Sequence, residues 1–178
     1  MMKAVQQGGG TTLFLVRHGE TEDNVRQIMQ GQSQGRLTLH GVEQAETLAR
    51  QLADEPIDAF LSSDLRRAVD TAAILAAPHH LPVETTPLLR ERDWGDFTGR
   101  FIPNLKDEPW PDNVESMADM MQRAASFLEY VRTHYPRQRV VAVGHGIFNK
   151  AVQAVYHQKP IHEIPRMGNA ELRVLEFP

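Results

Sequence analysis

Two histidines and an arginine stand directly after apolar runs of the sequence. Arg17 and His18 follow residues 13–16, and His145 follows residues 139–143, with a glycine on either side of it. Histidine can attack phosphorus as a nucleophile or donate a hydrogen bond to phosphate oxygens, and the guanidinium fork of arginine matches those oxygens. These residue types at these places indicate chemistry on a phosphorylated compound.

The segments around these residues predict how they could meet. Residues 12–16, 57–61 and 139–143 are mostly apolar, as is typical of buried strands, and residues 12–16 also contain β-branched side chains. Segments with helical spacing separate them. This alternation predicts an α/β fold, a three-layer sandwich with a mostly parallel central sheet and helices on both faces. Since ligands bind at the carboxyl ends of strands in such sheets, we expect the polar residues to converge there.

Four helices are expected around that sheet. Thr38 can cap one that runs to about Ala53, and the short oxygen side chains of residues 62–64 can cap the next. Asp112 and Glu115 resemble a capping box at the start of the third. Its apolar stripe is Val114, Met117, Met121, Ala124, Leu128, Val131 and Tyr135. The remaining predicted elements are a helix at 147–156 and short strands at 82–84 and 172–177.

Length and composition exclude several classes of protein. The 178 residues fit a single domain, with 1–11 as a flexible tail and about 92–112 as a lid or loop. The net charge of −4 gives no basic field for nucleic acid, and no apolar run reaches the length of a membrane helix or signal peptide. Cysteine is absent, which fits a reducing cytoplasm. None of the eight histidines has a zinc-motif spacing, so neither metal nor cofactor is expected. We therefore expect a cytoplasmic protein with no nucleic-acid or membrane partner; the residues specify no oligomeric state.

Five motifs along the chain resemble those of one known family, and they occur in the family's order. They are RHGETEDN at 17–24, LTLHGVEQA at 37–45, SSDLRRAVDTA at 62–72, LRERDWGDFTG at 89–99 and VGHG at 143–146. The family is the histidine phosphatase (phosphoglycerate mutase-like) superfamily, and the chain resembles its phosphatase-type members. The resemblance covers residue 12 to about residue 150, which is most of the chain.

The resemblance implies a role for eight residues. His18 matches the nucleophile that becomes phosphohistidine, and Glu91 matches the acid that protonates the leaving oxygen. His145 matches the family's second histidine, which contacts the phosphate, and we include it among the expected catalytic residues. Arg67 is chosen over Arg66 because the family's arginine immediately precedes an alanine. The residues expected to bind the phosphate are Arg17, Thr21, Asn24, Arg67 and Gly146.

Elementary chemistry adds two expectations about these roles. His18 must attack through an unprotonated nitrogen, which cationic neighbours favour, and its other ring nitrogen is expected to donate to a backbone carbonyl. Glu91 must be protonated to act as an acid, so a desolvated or anion-facing site should raise its pKa. The alternative for Glu91 is a surface ion cluster with Arg90, Arg92 and Asp93.

The segment after Glu91 bears on the type of reaction. Mutases of this family carry a long, arginine-rich insertion there, whereas only residues 100–112 fill that space here. A short segment favours hydrolysis of a phosphate monoester, on a small phosphorylated substrate or a phosphoprotein. A phosphoglycerate mutase and a non-catalytic protein-binding module that keeps the pocket as a scaffold remain alternatives. Two departures from the family pattern are residues 34–36 in place of Asp-x-Pro, and Lys150 in place of an arginine.

Overall fold

The central element of the computed structural model, which describes residues 10–178, is a five-stranded sheet. Its strands are β1 (Thr12–Arg17), β2 (Ala59–Ser62), β3 (Val83–Thr85), β4 (Arg139–Gly144) and β5 (Leu172–Glu176). They lie in the order β3-β2-β4-β1-β5, and only the β1–β5 pairing is antiparallel. The mostly parallel sheet expected from the alternating segments is therefore confirmed.

Helices cover both faces of this sheet. The α-helices in the described range are α1 (Glu22–Arg26), α2 (Leu39–Leu52), α3 (Arg66–Ala76), α4 (Met117–His134) and α5 (Gly146–His157). Short 3-10 turns lie at Ala77–His79, Pro87–Leu89, Gly95–Phe97, Ile102–Leu105 and Ile161–Glu163. Helices α2 and α3 pack on one face and α4 and α5 on the other, which gives the three layers. No helix within residues 10–178 is both long and apolar enough to cross a membrane.

The side chains of β4 show why the central strands are apolar at every position. Val140 and Ala142 belong to the core cluster under α4 and α5. Val141 and Val143 belong to the cluster under α2 and α3. Successive side chains of a strand point to opposite faces, so a strand covered on both faces must be apolar throughout.

Two helix starts confirm one cap predicted from the sequence and correct another. Thr38 caps α2, because its hydroxyl oxygen accepts from the N–H of Gly41 at 2.9 Å. Helix α3 begins only at Arg66, and its N-cap residue makes no side-chain bond. The side chain of Gln34 accepts from the N–H of Arg66 at 2.9 Å instead. The predicted cap by residues 62–64 is therefore wrong, since a distant loop supplies it.

Helix α4 also begins later than the sequence pattern suggested. Its cap is Ser116, which accepts from the N–H of Asp119 at 3.0 Å, so the predicted capping box at Asp112 is wrong. Val114 lies before the helix and Met117 is exposed. The buried stripe is Met120, Ala124, Phe127, Leu128, Val131 and the C-cap residue Tyr135.

The structure describes the end of the expected tail, residues 10–11, and the whole of the expected lid or loop at about 92–112. Residues 1–9 lie outside the described part of the chain. Thr11, assigned to the tail, is buried, and its hydroxyl donates to the carbonyl of Tyr135 at 2.6 Å. Of the segment 92–112, Gly95–Phe97 and Ile102–Leu105 form 3-10 turns.

Two glycines set the close approach of α2 to the chain that leaves β1. A Cβ atom on Gly41 would lie 2.1 Å from the carbonyl oxygen of Glu20, and one on Gly19 would lie 2.5 Å from the carbonyl oxygen of Gly41. Gly19 directly follows His18, so the first turn of α2 presses against the residues that hold this histidine. No side chain fits between these two backbones.

This contact predicts a reversal of the usual effect of alanine in a helix. Alanine normally stabilises a helix interior by about 1 kcal/mol relative to glycine. Gly41→Ala should instead destabilise the protein by about 1–3 kcal/mol, because the new methyl group overlaps backbone atoms that cannot rotate away. Urea denaturation measures the difference, with the exposed substitution Gln51→Ala in the same helix as control. An unchanged or higher stability of Gly41→Ala would contradict the packing described.

Candidate active site

The carboxyl ends of β1 and β4 bring the two histidines together. These strands are parallel neighbours with Arg17 opposite Gly144, and the N–H of His18 donates to the carbonyl of Gly144 at 3.2 Å. The ring centroids of His18 and His145 are 5.2 Å apart, and both side chains are buried. The structure thus places at one spot two residues that are 127 positions apart in sequence, the difference between 145 and 18.

The ring of His18 is held in one tautomer. Its Nδ1 atom lies 2.7 Å from the carbonyl oxygen of Gly19, the kind of bond expected from the sequence. Because a carbonyl only accepts, Nδ1 carries the hydrogen and Nε2 of the neutral ring keeps its lone pair. Burial, followed by the positive charge of Arg67, holds the pKa of His18 well below its usual value, although the Gly19 carbonyl acts in the opposite direction. His18 is therefore a neutral imidazole with a free Nε2 at neutral pH.

Arg67 is held by main-chain carbonyls of the loop before α2. Its Nη1 donates to Ser33 and its Nη2 to Gly31, both at 2.6 Å. The loop approaches closely because residue 35 is a glycine, whose Cβ would lie 3.0 Å from Cδ of Arg67. Burial lowers the pKa of Arg67 to about 10, so the side chain stays charged at neutral pH. Residues 34–36, which depart from the family pattern, thus help to seat this arginine.

Arg17 is held in the same way from the other side of the site. Its Nη1 donates to the carbonyl of Met167 at 2.8 Å. Its pKa is lowered, first by burial and then by the charge of Arg166. Neither Arg17 nor Arg67 forms an ion pair within residues 10–178. Their positive charge is therefore not cancelled by a carboxylate in direct contact.

Three buried nitrogen atoms of this cluster have no hydrogen-bond partner in the described part of the chain. They are Nε of Arg17, Nε of Arg67 and Nδ1 of His145. Buried polar atoms in native proteins are nearly always bonded, so each such atom calls for an explanation. A tetrahedral oxyanion placed among them would supply acceptors to all three, and the uncompensated arginines would neutralise its charge.

Glu91 reaches the same site from the segment after β3. Its Oε2 accepts from the N–H of Ile147 at 3.1 Å, and its Oε1 accepts from the N–H of Phe148 at 2.9 Å and of Arg92 at 2.8 Å. Two of these donors belong to the first turn of α5, so the Glu91 carboxylate occupies N–H groups at the start of this helix.

The basic neighbours of Glu91 in sequence bind elsewhere. Arg90 pairs with Asp64 at 2.6 Å. Arg92 is buried, with its guanidinium carbon 4.9 Å from the ring centroid of Trp94 and 5.1 Å from that of Trp110. The alternative of a surface ion cluster around Glu91 is therefore not what the structure shows.

Asn24 and Thr21 form the start of the short helix α1. The hydroxyl of Thr21 accepts from the N–H of Asn24, and the amide oxygen of Asn24 accepts from the N–H of Thr21, each at 3.0 Å. Asn24 lines the cavity of the site, but Thr21 does not. The Thr21 hydroxyl donates to Gln30 at 2.9 Å. The predicted contact of Thr21 with phosphate is therefore replaced by a structural role, which is to hold Asn24.

The cavity in front of these groups has a volume of about 420 Å³. Six of the eight residues expected from the sequence line it, namely Arg17, His18, Asn24, Arg67, Glu91 and Gly146. His145 does not line it, and its ring packs against His18 instead. Nine further lining residues were not predicted as site residues: Ile28, Met29, Gln30, Gly31, Trp94, Ile102, Ile147, Lys150 and Arg166.

The composition of the cavity wall suits an anion attached to a larger group. Its charged residues are four cations, Arg17, Arg67, Lys150 and Arg166, and one carboxylate, Glu91. The side chains of Ile28, Met29, Trp94 and Ile102 add an apolar part. Across residues 10–178, no group of three or more His, Asp or Glu side chains is arranged to hold a metal ion.

Comparison with known proteins agrees with this geometry. The family model described as "Histidine phosphatase superfamily (branch 1)" matches residues 13–178. The uncharacterized phosphatase PhoE of Bacillus subtilis is 31% identical over 172 residues, which are 94% of this chain and 89% of that protein. The probable phosphoglycerate mutase GpmB of Proteus mirabilis is 38% identical over 149 residues, 76% of this chain and 69% of that one.

Solved structures show the same likeness. Bacillus stearothermophilus YhfR superposes with a TM-score of 0.87 at 28% identity, over 92% of this chain and 90% of that one. A mycobacterial glucosyl-3-phosphoglycerate phosphatase in complex with VO3 superposes with a TM-score of 0.84 at 31% identity, over 92% of this chain and 91% of that one. The motifs, the paired histidines and the match over nearly the whole length lead to one conclusion: this chain belongs to branch 1 of the histidine phosphatase superfamily.

Proposed function

We propose that the chain hydrolyses phosphate monoesters through a phosphohistidine on His18, with Glu91 as proton donor. The observation that carries this proposal is the set of buried, unpartnered nitrogens of Arg17, Arg67 and His145 beside a neutral His18. Such a set supplies the positioning and charge neutralisation on which phosphoryl transfer depends. The substrate is a small phosphorylated compound or a phosphoprotein.

In the first step, the Nε2 lone pair of His18 attacks phosphorus and the ester P–O bond breaks. The leaving oxygen takes a proton from the carboxyl group of Glu91, while Arg17 and Arg67 neutralise the phosphoryl oxygens. Glu91 lines the same cavity as His18, and three backbone N–H groups hold its carboxyl group in place there.

In the second step, a water molecule gives a proton to the ionised Glu91 and attacks the phosphorus. The N–P bond breaks, inorganic phosphate forms, and His18 and Glu91 return to their starting states. The positive charge in this scheme comes from arginines, so we propose a metal-independent reaction. General acid–base help of this kind is typically worth about 10²–10⁴-fold in rate.

Hydrolysis is preferred to mutase chemistry because of the segment that follows Glu91. A mutase must retain a phosphorylated intermediate while it turns over in a closed, basic pocket. Here the guanidinium of Arg92 lies against Trp94 and Trp110, and Arg100 pairs with Glu108 at 2.6 Å. Neither arginine is available to retain such an intermediate. Related sequences and solved structures that are named as phosphatases support hydrolysis. Relatives named as probable phosphoglycerate mutases keep mutase activity as the alternative function.

The proposal predicts how activity depends on His18. In a screen of phosphorylated metabolites and phosphoproteins, wild-type protein should release phosphate in the presence of EDTA, and orthovanadate should inhibit it. His18→Ala should lower kcat by about 10³-fold or more, because no other group can form the covalent intermediate. The exposed substitution His157→Ala serves as control and should retain activity.

Three outcomes of that screen would count against the proposal. Activity that survives His18→Ala would remove the nucleophile, and activity lost in EDTA would show a metal requirement. Absence of turnover on every compound would favour the non-catalytic binding module. A coupled assay for exchange between 2- and 3-phosphoglycerate, run in parallel, detects the mutase.

Substitution of Glu91 tests the proton donor through the leaving group. Glu91→Gln should lower kcat/KM on glycerol phosphate by about 10²–10⁴-fold, because kcat/KM reports the first step, in which an alkoxide leaves poorly without a proton. The loss should be much smaller on 4-nitrophenyl phosphate, whose leaving group needs no proton. Asp93→Asn, at an exposed acid two residues away, is the matched control. Equal losses on both substrates, at an unchanged melting temperature, would show that Glu91 is not the acid.

The neutral state of the two histidines predicts a pH dependence of stability. Burial holds the pKa of His18 and of His145 well below the usual 6.5, so between these values the unfolded chain binds more protons than the native protein. Stability should therefore be full above pH 6.5 and fall as the pH drops. Each histidine contributes up to about 1.4 kcal/mol per pH unit, so the two cost about 2–3 kcal/mol between pH 7.5 and 5.5.

Urea denaturation at pH 7.5, 6.5 and 5.5 measures this loss. The double variant His18→Gln/His145→Gln should lose most of the dependence, since it removes the two protonation sites. An equal slope for the variant and the wild type would show that other groups cause the acid sensitivity.

A further inference from the structure

A serine that the sequence assigned to a helix cap contacts the second histidine instead. The hydroxyl oxygen of Ser63 lies 2.7 Å from Nε2 of His145, and both side chains are completely buried. Strands β2 and β4 are paired, and the N–H of Ser63 donates to the carbonyl of Val143 at 3.0 Å. Pairing of the sheet thus sets the distance between the serine and the ring.

The direction of this hydrogen bond follows from the other contact of the serine. The hydroxyl oxygen of Ser63 accepts from the N–H of Leu65 at 3.3 Å, a local turn typical of serine. Within the described residues, Nε2 of His145 is the acceptor available to the hydroxyl hydrogen. The hydroxyl of Ser63 therefore donates to His145, and Nε2 carries the lone pair.

This direction decides what the other ring nitrogen can do. A neutral imidazole has one N–H, and with Nε2 as the acceptor the hydrogen resides on Nδ1. Nδ1 of His145 is one of the three buried nitrogens without a partner. The ring lies against that of the cavity residue His18, and burial followed by the positive charge of Arg67 lowers its pKa. In this tautomer Nδ1 presents a donor to a phosphoryl oxygen, and in the other it would present a lone pair that repels it.

We propose that Ser63 is a positioning residue that fixes His145 in the Nδ1–H tautomer, so that a neutral histidine donates to the transferring phosphoryl group. That His145 donates to a phosphoryl group rests on the function proposed above, but the Nδ1–H tautomer of its ring does not. The protein can therefore be tested in the absence of turnover. Groups that orient a functional histidine are typically worth about 10–100-fold, as known for metal ligands.

Ser62 provides a matched control in the next position of the chain. It is as fully buried as Ser63, but its hydroxyl donates to the carbonyl of Ser63 at 2.7 Å and does not contact a histidine. Ser62→Ala and Ser63→Ala remove the same atom from the same part of the sheet. A purely structural effect should therefore appear in both variants, and an effect on the tautomer only in the second.

The experiment records ¹⁵N chemical shifts of the histidine side chains in the unliganded protein at pH 7.5, where protonated and unprotonated ring nitrogens are well separated. In the wild type and in Ser62→Ala, Nδ1 of His145 should be the protonated nitrogen. Ser63→Ala should move the shifts of both nitrogens toward a mixture of tautomers. It should also lower kcat/KM on 4-nitrophenyl phosphate about tenfold or more, with Ser62→Ala within about twofold of the wild type.

Two results would overturn the proposal. One is a wild-type His145 with the proton on Nε2, and the other is a Ser63→Ala protein that folds with unchanged His145 shifts. Melting temperatures of both variants identify loss of folding, and if Ser63→Ala does not fold, the wild-type tautomer alone decides. A wild type with no turnover but an Nδ1–H tautomer would reject the proposed function and leave the assignment of Ser63 intact.

Discussion

The site depends on two buried guanidinium groups that main-chain carbonyls hold in place. Removing a charge from water is costly unless it is paired and hydrogen-bonded. Arg67 is hydrogen-bonded through Gly31 and Ser33, and Arg17 through Met167, yet among residues 10–178 no carboxylate forms an ion pair with either. The carbonyl oxygens accept some of the hydrogen bonds that each guanidinium group can donate, and they do so without cancelling its charge. The fold thus holds positive charge for an anionic ligand and fixes its position before the ligand arrives.

The same two charges set the state of the histidines beside them. A neutral imidazole is required both for nucleophilic attack and for a buried position next to cations. The carbonyl of Gly19 and the hydroxyl of Ser63 then select a different tautomer for each ring, so that Nε2 is free on His18 and Nδ1 is a donor on His145. One ring is prepared to attack and the other to donate, although both are neutral.

The sequence predicted the sheet, the core helices and six of the residues that line the cavity, because these follow from local patterns. Apolar runs mark the strands, and the motifs carry the residues at the strand ends. Prediction from the sequence failed where several nearby residues could fill the same structural role and a tertiary contact selects one of them. Several residues between 112 and 116 could cap α4, and Ser116 does so while Glu115 pairs with Arg123 at 2.8 Å. Arg166 follows the last helix outside any motif, so nothing in the local pattern indicated that it lines the cavity.

The most direct test of the account is a crystal structure of the protein with orthovanadate, which mimics the five-coordinate phosphorus of the transition state. We expect a bond from vanadium to Nε2 of His18, with vanadate oxygens at hydrogen-bond distance from the guanidinium groups of Arg17 and Arg67 and from Nδ1 of His145. Vanadate bound outside this cavity, or inside it without a bond to His18, would contradict the role of His18 as the nucleophile.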